Sequence, residues 1–475
     1  MTSSIGDASD RATVAALVKL MRQRLLDGKH DPSAGHVART WNIDVDSDHD
    51  AATRLAMQLP EDGLGPETHL DAEGPFISRN PLVSVLQSEM TVVADRHGRA
   101  VETPPGHRDH GFFARIWEGL QDLIEDGRIA EHDAEFGAEY VEGVLGRIAE
   151  GTHAFNPEPV ICQIGDPARI VVVGDWGSGS PQARAVAALM AAEVTAGTAA
   201  GRDVHVIHLG DVYFAGQAEE YRDHVLAEGC WPVTDAQADA GVGSWALAGN
   251  HDLYGGATPY FNELLGDRRF RRQQSDDGKP TSWFRLEAPA WQIIGLDSSW
   301  NDDPFFKGDY GLLQAPQAAT VTQWLQDDQR PGVLLSHHQF MSAFDPRLTN
   351  APQTPPLVAD LAELVNQGRV AGWLWGHEHR CMAFTHETIR FPRLVGHGGQ
   401  LESPIPAATA LPATVRWAEQ ATFEYGGRPW GRCGAVVLDI DGAQIQARYL
   451  LDGAAPTVAT ETFEVPAVGA REVAA

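Results

Sequence analysis

Ala168-Arg-Ile-Val-Val-Val-Gly-Asp-Trp-Gly177 decides the fold: a continuous apolar run that breaks into glycine, aspartate, tryptophan and glycine. β-Branched residues without polar alternation mark a strand buried on both faces, as in α/β proteins. The flanking glycines let the backbone turn tightly, so the aspartate is presented just beyond the strand. The pattern recurs. His205-Val-Ile-His-Leu209 runs into Gly210-Asp211, and Ser244-Trp-Ala-Leu-Ala248 into Gly249-Asn250-His251-Asp252. Val333-Leu-Leu335 runs into Ser336-His337-His338, and Gly372-Trp-Leu-Trp375 into Gly376-His377-Glu378-His379. Oxygen or imidazole donors at the ends of five strands, in one order along the chain, are what a two-metal hydrolytic centre requires.

An α/β fold follows, a two-layered β-sandwich flanked by helices whose strands carry ligands at their carboxyl ends. It is expected over residues 166–455. An Ala-rich helix runs from Pro181 to about Val194, and Trp291–Leu296 is a further strand. Ala435–Asp439 and Ala443–Leu450 alternate around Asp441-Gly442, which predicts a hairpin. Residues 1–165 read as a mainly helical accessory region. Leu17, Leu20, Met21, Arg24 and Leu25 outline one helix; Phe113, Ile116, Trp117, Leu120 and Leu123 share the face of a second. Phe136, Tyr140, Val141, Val144, Leu145 and Ile148 share that of a third. Residues 456–475 read as a poorly ordered C-terminal tail.

The formal net charge of −29 over 475 residues opposes a broad basic nucleic-acid grip. An anionic substrate then needs local positive charge, which bound divalent cations supply. Cys162, Cys230, Cys381 and Cys433 are far apart with no C-x-x-C pair, which argues against a disulfide framework and a thiolate zinc site. The first residues show no apolar core before a cleavage site, and no stretch reaches membrane-spanning length. A cytoplasmic protein without a membrane partner is the expectation; protein partners are left open.

Two metals about 3.5–4 Å apart need a bridging carboxylate and terminal nitrogen or oxygen donors. Asp211 suits the bridge, Asp175 and His379 the first metal, and Asn250, His337 and His377 the second. His377 and His379 are two apart and share a face in extended chain, so they reach neighbouring metals.

The order of these motifs resembles the calcineurin-like metallophosphoesterase family over about Ile170 to Leu451. Within it the chain is most similar to the purple acid phosphatase-like branch, since Gly174-Asp175-Trp176-Gly177 reads Gly-Asp-x-Gly and Gly177 stands where other members have histidine. The resemblance implies a phosphoesterase with two divalent or mixed-valence metal ions (iron, manganese or zinc), in which a metal-bridging hydroxide attacks phosphorus. It implies that His251 protonates the leaving alkoxide or binds a phosphate oxygen. That branch also has a metal-ligating tyrosine three residues after the second aspartate. Here Phe214 has that spacing and Tyr213 comes one earlier. Either a one-residue bulge lets Tyr213 bind the first metal, or that metal has one protein ligand fewer. The serine/threonine phosphatase signature has an arginine shortly after the second motif and an aspartate that orients the histidine; Val212-Tyr213-Phe214-Ala215-Gly216 has neither.

Asn250, His397 and Arg380 are candidate substrate contacts, although Arg380 would serve equally as a loop cap. His208, Trp373 and Trp375 read as core, and His338 as a residue turned away from the metals. The expected substrate is a small-molecule phosphate ester. The alternatives are a non-catalytic metal-binding scaffold of the same fold and a phosphodiesterase or nuclease.

Overall fold

Short apolar runs bounded by glycine and polar turns supply the strands. They are Val160–Gln163 (β1), Ala168–Val173 (β2), Asp203–His208 (β3), Gly243–Ala246 (β4), Phe284–Glu287 (β5), Gln292–Gly295 (β6), Gly332–Ser336 (β7) and Val370–Trp375 (β8). Cys381–Phe384 (β9), Phe391–Val395 (β10), Val415–Ala418 (β11), Thr422–Tyr425 (β12) and Arg428–Gly431 (β13) follow. Gly434–Asp441 (β14), Gln444–Leu451 (β15) and Thr460–Glu464 (β16) complete the series. This computed structural model describes residues 48–60, 77–96, 153–300, 311–345, 356–425 and 427–464, with Leu348 and isolated positions between 14 and 26. The residues that outline the first expected helix (Leu17, Leu20, Met21, Arg24 and Leu25) and the helical faces expected at 113–123 and 136–148 lie outside the described residues.

The chain divides into two units, Met1–His153 with Tyr254–Thr258 and Ala154–Leu253 with Pro259–Ala475. The first contains helices α1 (Asp48–Gln58) and α2 (Pro81–Arg96). Ahead of α2, the Asn80 side-chain oxygen accepts from the N–H groups of Leu82 and Val83, the usual way to satisfy a helix N-terminus.

The second unit is the expected sandwich. One sheet has the order β16-β15-β14-β2-β3-β4, and the other β1-β5-β6-β7-β8-β10-β9-β11. Strands β2, β3 and β4 run parallel, as do β6, β7 and β8, so the loops after them emerge at one end of each sheet. Residues alternate across a strand. Ile170 and Val172 of β2 join Ile207, Trp245, Ile293, Val333, Leu335, Leu374, Val436 and Leu438 in the core between the sheets. Val171 and Val173 are buried on the opposite face, towards α3 (Pro181–Ala199). Ser180 starts that helix by accepting from Ala183 N–H at 3.1 Å, followed by proline at the first helical position. A second apolar cluster covers the outer face of the eight-stranded sheet. Val321 and Leu325 of α4 (Ala315–Asp327) pack there with Trp283, Trp373 and Trp375, which fulfils the core reading of both tryptophans.

Two boundaries differ from the sequence reading. Val160–Gln163, before the expected domain start, pairs in parallel with β5. Thr460–Glu464, placed in the tail, is an edge strand antiparallel to β15. Its alternation of polar residues around Phe463 carries little signal alone. Partners fix it: Phe463 stacks on Phe391 with centroids 4.2 Å apart, and Glu461 meets the buried Arg393 guanidinium at 2.8 Å. Arg393 lies on the other sheet and also donates to the Tyr449 hydroxyl at 2.9 Å. Burial pushes the Glu461 carboxyl up, but the Tyr449 hydroxyl and Arg393 outweigh it and hold it below the usual range.

Removing one partner of a buried ion pair strands the other charge. Glu461→Gln is therefore expected to lower unfolding free energy by about 3 kcal/mol in urea melts at pH 7. Because the native carboxyl is held low, its contribution is present above the ordinary glutamate pKa. The mutant deficit should shrink as pH falls through the depressed native value.

Candidate metal centre

Every motif residue leaves the carboxyl end of a strand. Asp175 follows β2, Asp211 follows β3, and Asn250 and His251 open a short helical turn, Asn250–Tyr254, after β4. From the other sheet, His337 follows β7, and His377 and His379 occupy the turn between β8 and β9. The two sheets thus supply opposite halves of one cluster.

Two groups of side chains could each hold a metal ion: Asp175, Asp211 and His379, and Asp211, His337 and His377. Within each group one ligand atom per residue lies within 4.8 Å of the others, and Asp211 belongs to both. Asn250 Oδ1 is 2.9 Å from His337 Nε2 and 3.1 Å from His377 Nδ1. His337 Nε2 also stands 3.4 Å from Asp211 Oδ1. Ligands about 2.1 Å from one ion stand roughly 3–3.5 Å from one another, so these separations fit a shared cation. The six expected ligands are together.

Their backbone is strained. Asp175, Asp211, His377 and His379 have φ values of 56°, 73°, 71° and 33°, in the left-handed region that costs a non-glycine residue about 1–2 kcal/mol. Hydrogen bonds hold them there. His377 N–H donates to Asp175 Oδ2 at 2.8 Å, and the Asp175 carbonyl accepts from Gly399 and Gln400. Asp252 Oδ2 accepts from both Asp211 N–H and Gly249 N–H at 2.7 Å, while Tyr221 donates to the other oxygen. Gly249 is required by close approach: a Cβ there would lie 2.0 Å from Asp211 Oδ1.

Charge points the same way. Burial pushes the Asp211 carboxyl well above its ordinary value, and Asp175 and Asp252 push it further. Asp252 is pushed up to about 6 by burial, against the hydrogen bonds from Tyr221 and backbone N–H groups. Burial, then Asp175 and Asp211, raise the Tyr213 hydroxyl. Cations at the two groups would reverse this balance.

The sequence left Tyr213 open, and the structure brings it in. Its hydroxyl is 3.0 Å from Asp175 Oδ1, 3.2 Å from Asp211 Oδ2 and 2.8 Å from His379 Nε2. Gly177 makes room. Tyr213 N–H donates to the Gly177 carbonyl at 3.0 Å, and a Cβ on Gly177 would meet Val212 at 2.7 Å. The glycine that stands where other members have histidine thus lets the Tyr213 segment close on the Asp175 loop.

His251 Nδ1 lies 2.6 Å from the Phe214 carbonyl. A carbonyl only accepts, so Nδ1 carries a proton and donates it to Phe214. The His251 backbone N–H donates to Asp211 Oδ1 at 3.0 Å. His338 turns to Ser298, 3.0 Å from its hydroxyl, and His208 sits buried in β3 with its pKa pushed down to about 3.

The two other expected substrate contacts are placed differently. Arg380 is committed to Glu402 at 2.8 Å and the Ser403 carbonyl at 2.9 Å, with Phe344 beneath it. It therefore buttresses the loop. The second oxygen of Glu402 stands 3.8 Å from His379 Nδ1, a long-range relation that no sequence spacing announces. His397 is buried, with its pKa pushed down to about 4 by loss of water. With His379, Gln400, Glu402, Cys381 and Cys433 it lines a cavity of about 30 Å³, enough for a water molecule.

Two sheets meet at their strand ends in a double donor cluster, the arrangement that a metal-dependent hydrolase of phosphoric ester bonds needs. Residues 168–381 match the sequence pattern of calcineurin-like phosphoesterases. Among solved structures similar to the chain is a dimetal phosphatase from Danio rerio, 15% identical, covering 63% of this chain and 99% of that one, with a TM-score of 0.39. Purple acid phosphatase from yellow lupin (Lupinus luteus) seeds is 15% identical over 63% of this chain, with a TM-score of 0.42; the match spans 54% of the lupin protein. GAP50, the anchor in the inner membrane complex of Plasmodium, is 11% identical, with 63% and 90% coverage and a TM-score of 0.42. No curated protein sequence matches. Among the described residues, no helix is long and apolar enough to cross a membrane.

The shared carboxylate gives a direct check. Asp211→Asn should reduce bound metal from two ions per chain to one or none by elemental analysis, while Asn250→Ala should weaken one site and leave the other.

Proposed function

We propose that the protein hydrolyses a small or medium-sized phosphate ester at two metal ions held by Asp175, Asp211, Asn250, His337, His377 and His379, with Tyr213 as a further ligand to the first. The observation that carries this reading is the sharing of Asp211 between two buried donor groups beside His251. Two ions bound there lower the pKa of water and neutralise charge on the phosphoryl oxygens. The donors are oxygen and nitrogen throughout, which suits iron, manganese or zinc.

Asp211 and Asp175, each fixed by backbone donors or a tyrosine hydroxyl, keep the two positions in register. Asn250 and His251 are neighbours on one turn, so a phosphate oxygen bound beside Asn250 stands close to the His251 ring. With Nδ1–H tied to Phe214, the doubly protonated ring gives its Nε2 proton to the leaving oxygen and is left neutral. Such help is worth roughly 10²–10⁴-fold. The charge of −29 supports a compact phosphate ester over a nucleic-acid strand. Four cysteines as free thiols support a reducing compartment such as the cytoplasm.

Metal analysis followed by paired kinetics on nitrophenyl phosphate and its diester analogue tests the reading. Turnover with added manganese or iron is expected, and His251→Asn should lose about 10²-fold on an alkyl phosphate, whose leaving group needs the proton. Metal-loaded protein that leaves both esters untouched would refute it.

A further inference from the structure

The segment after Asp211 carries Tyr213 and the carbonyl that holds His251, and one side chain outside the five motifs grips it. Glu220 is buried, at 3% exposure. One of its carboxylate oxygens accepts from Phe214 N–H; the other accepts from Ala215 N–H at 3.0 Å and Gln217 N–H at 2.9 Å. Capping the short turn Ala218–Glu220 accounts only for the bond to Gln217. The bonds to Phe214 and Ala215 reach back beyond the cap and need another reason.

Peptide planarity gives that reason. The Phe214 carbonyl and the Ala215 N–H are two ends of one rigid plane. Glu220 holds the N–H end, and His251 Nδ1 donates to the carbonyl end at 2.6 Å. Turning that plane would carry the acceptor away from the imidazole. The Phe214 N–H, in the preceding plane, is pinned by the same carboxylate, and that plane's carbonyl, from Tyr213, lies 3.1 Å from His224 Nδ1. A carboxylate facing several backbone N–H groups is a strong, charge-assisted anchor.

We propose that Glu220 is the positioning residue for His251: it sets the Phe214–Ala215 peptide plane, and through it the direction in which the imidazole presents Nε2. This rests on the proton-donor role of His251 proposed above. An amide at position 220 offers one acceptor oxygen where the carboxylate offers two, so Glu220→Gln loosens the plane without changing the size of the side chain.

The test uses the full chain loaded with zinc and labelled with ¹⁵N-histidine. The His251 Nδ1 proton, assigned by its loss in His251→Asn, should be downfield and slow to exchange. In Glu220→Gln it should move upfield and exchange faster. With metal content at the wild-type level, kcat for an alkyl phosphate, whose leaving group needs a proton, should fall about 10²-fold. For nitrophenyl phosphate, whose leaving group does not, it should change less than about threefold. Glu220→Asp, with the charge kept and the reach shortened, should show the same split in smaller measure, and it serves if the amide variant does not fold. An unchanged Nδ1 signal, or equal losses on both esters, overturns the proposal. If wild-type protein turns over neither ester, the site reading falls, while the Nδ1 signal still decides whether Glu220 positions the ring.

Discussion

Asp211, 1% exposed, is stripped of water and set beside a second buried carboxylate, Asp175, with the Tyr213 hydroxyl in reach of both. Such an arrangement opposes its own formation, because like charges at low dielectric repel and lose hydration. The surrounding structure exists in large part to hold it. Asp252 clamps the Asp211 and Asn250 loops through two backbone N–H groups, and the Gly399–Gln400 turn clamps the Asp175 carbonyl. Left-handed backbone at four ligand positions survives only because these bonds over-determine it. The sandwich is the frame. It fixes two sheets so that the strand ends of one place aspartates against the histidines of the other.

The turn Gly376–Arg380 shows how economically the fold uses consecutive residues. His377 faces Asn250 and His337, while His379 faces Asp175 and Tyr213. Between and after them, Glu378 accepts from Ser342 and Arg380 takes Glu402. Ligands and anchors alternate, so neither imidazole can shift without moving a loop tied elsewhere. Glu220 belongs to the same logic from an element that carries none of the proposed ligands.

Much of the centre was legible because its information is local. An apolar run ending in Gly-Asp or Gly-His announces both the strand and the donor, and all six expected ligands do converge. What escaped depends on partners distant in the chain. Tyr213 was ambiguous because spacing counts residues and says nothing of the closure that Gly177 permits. Arg380 stood open between a phosphate contact and a loop cap until Glu402, 22 residues on, claimed its guanidinium. Strand β16 has a weak pattern of its own and takes its place from Phe391, Tyr449 and Arg393.

Arg393 and Glu461 are separated by 68 residues, and they meet across the two layers of the sandwich. Biosynthesis runs in one direction, so β10 emerges from the ribosome long before the carboxylate that neutralises its arginine. Until the last edge strand is translated, the nascent core contains a cation it cannot bury. This ion pair between the layers therefore closes only after β16 has been synthesised.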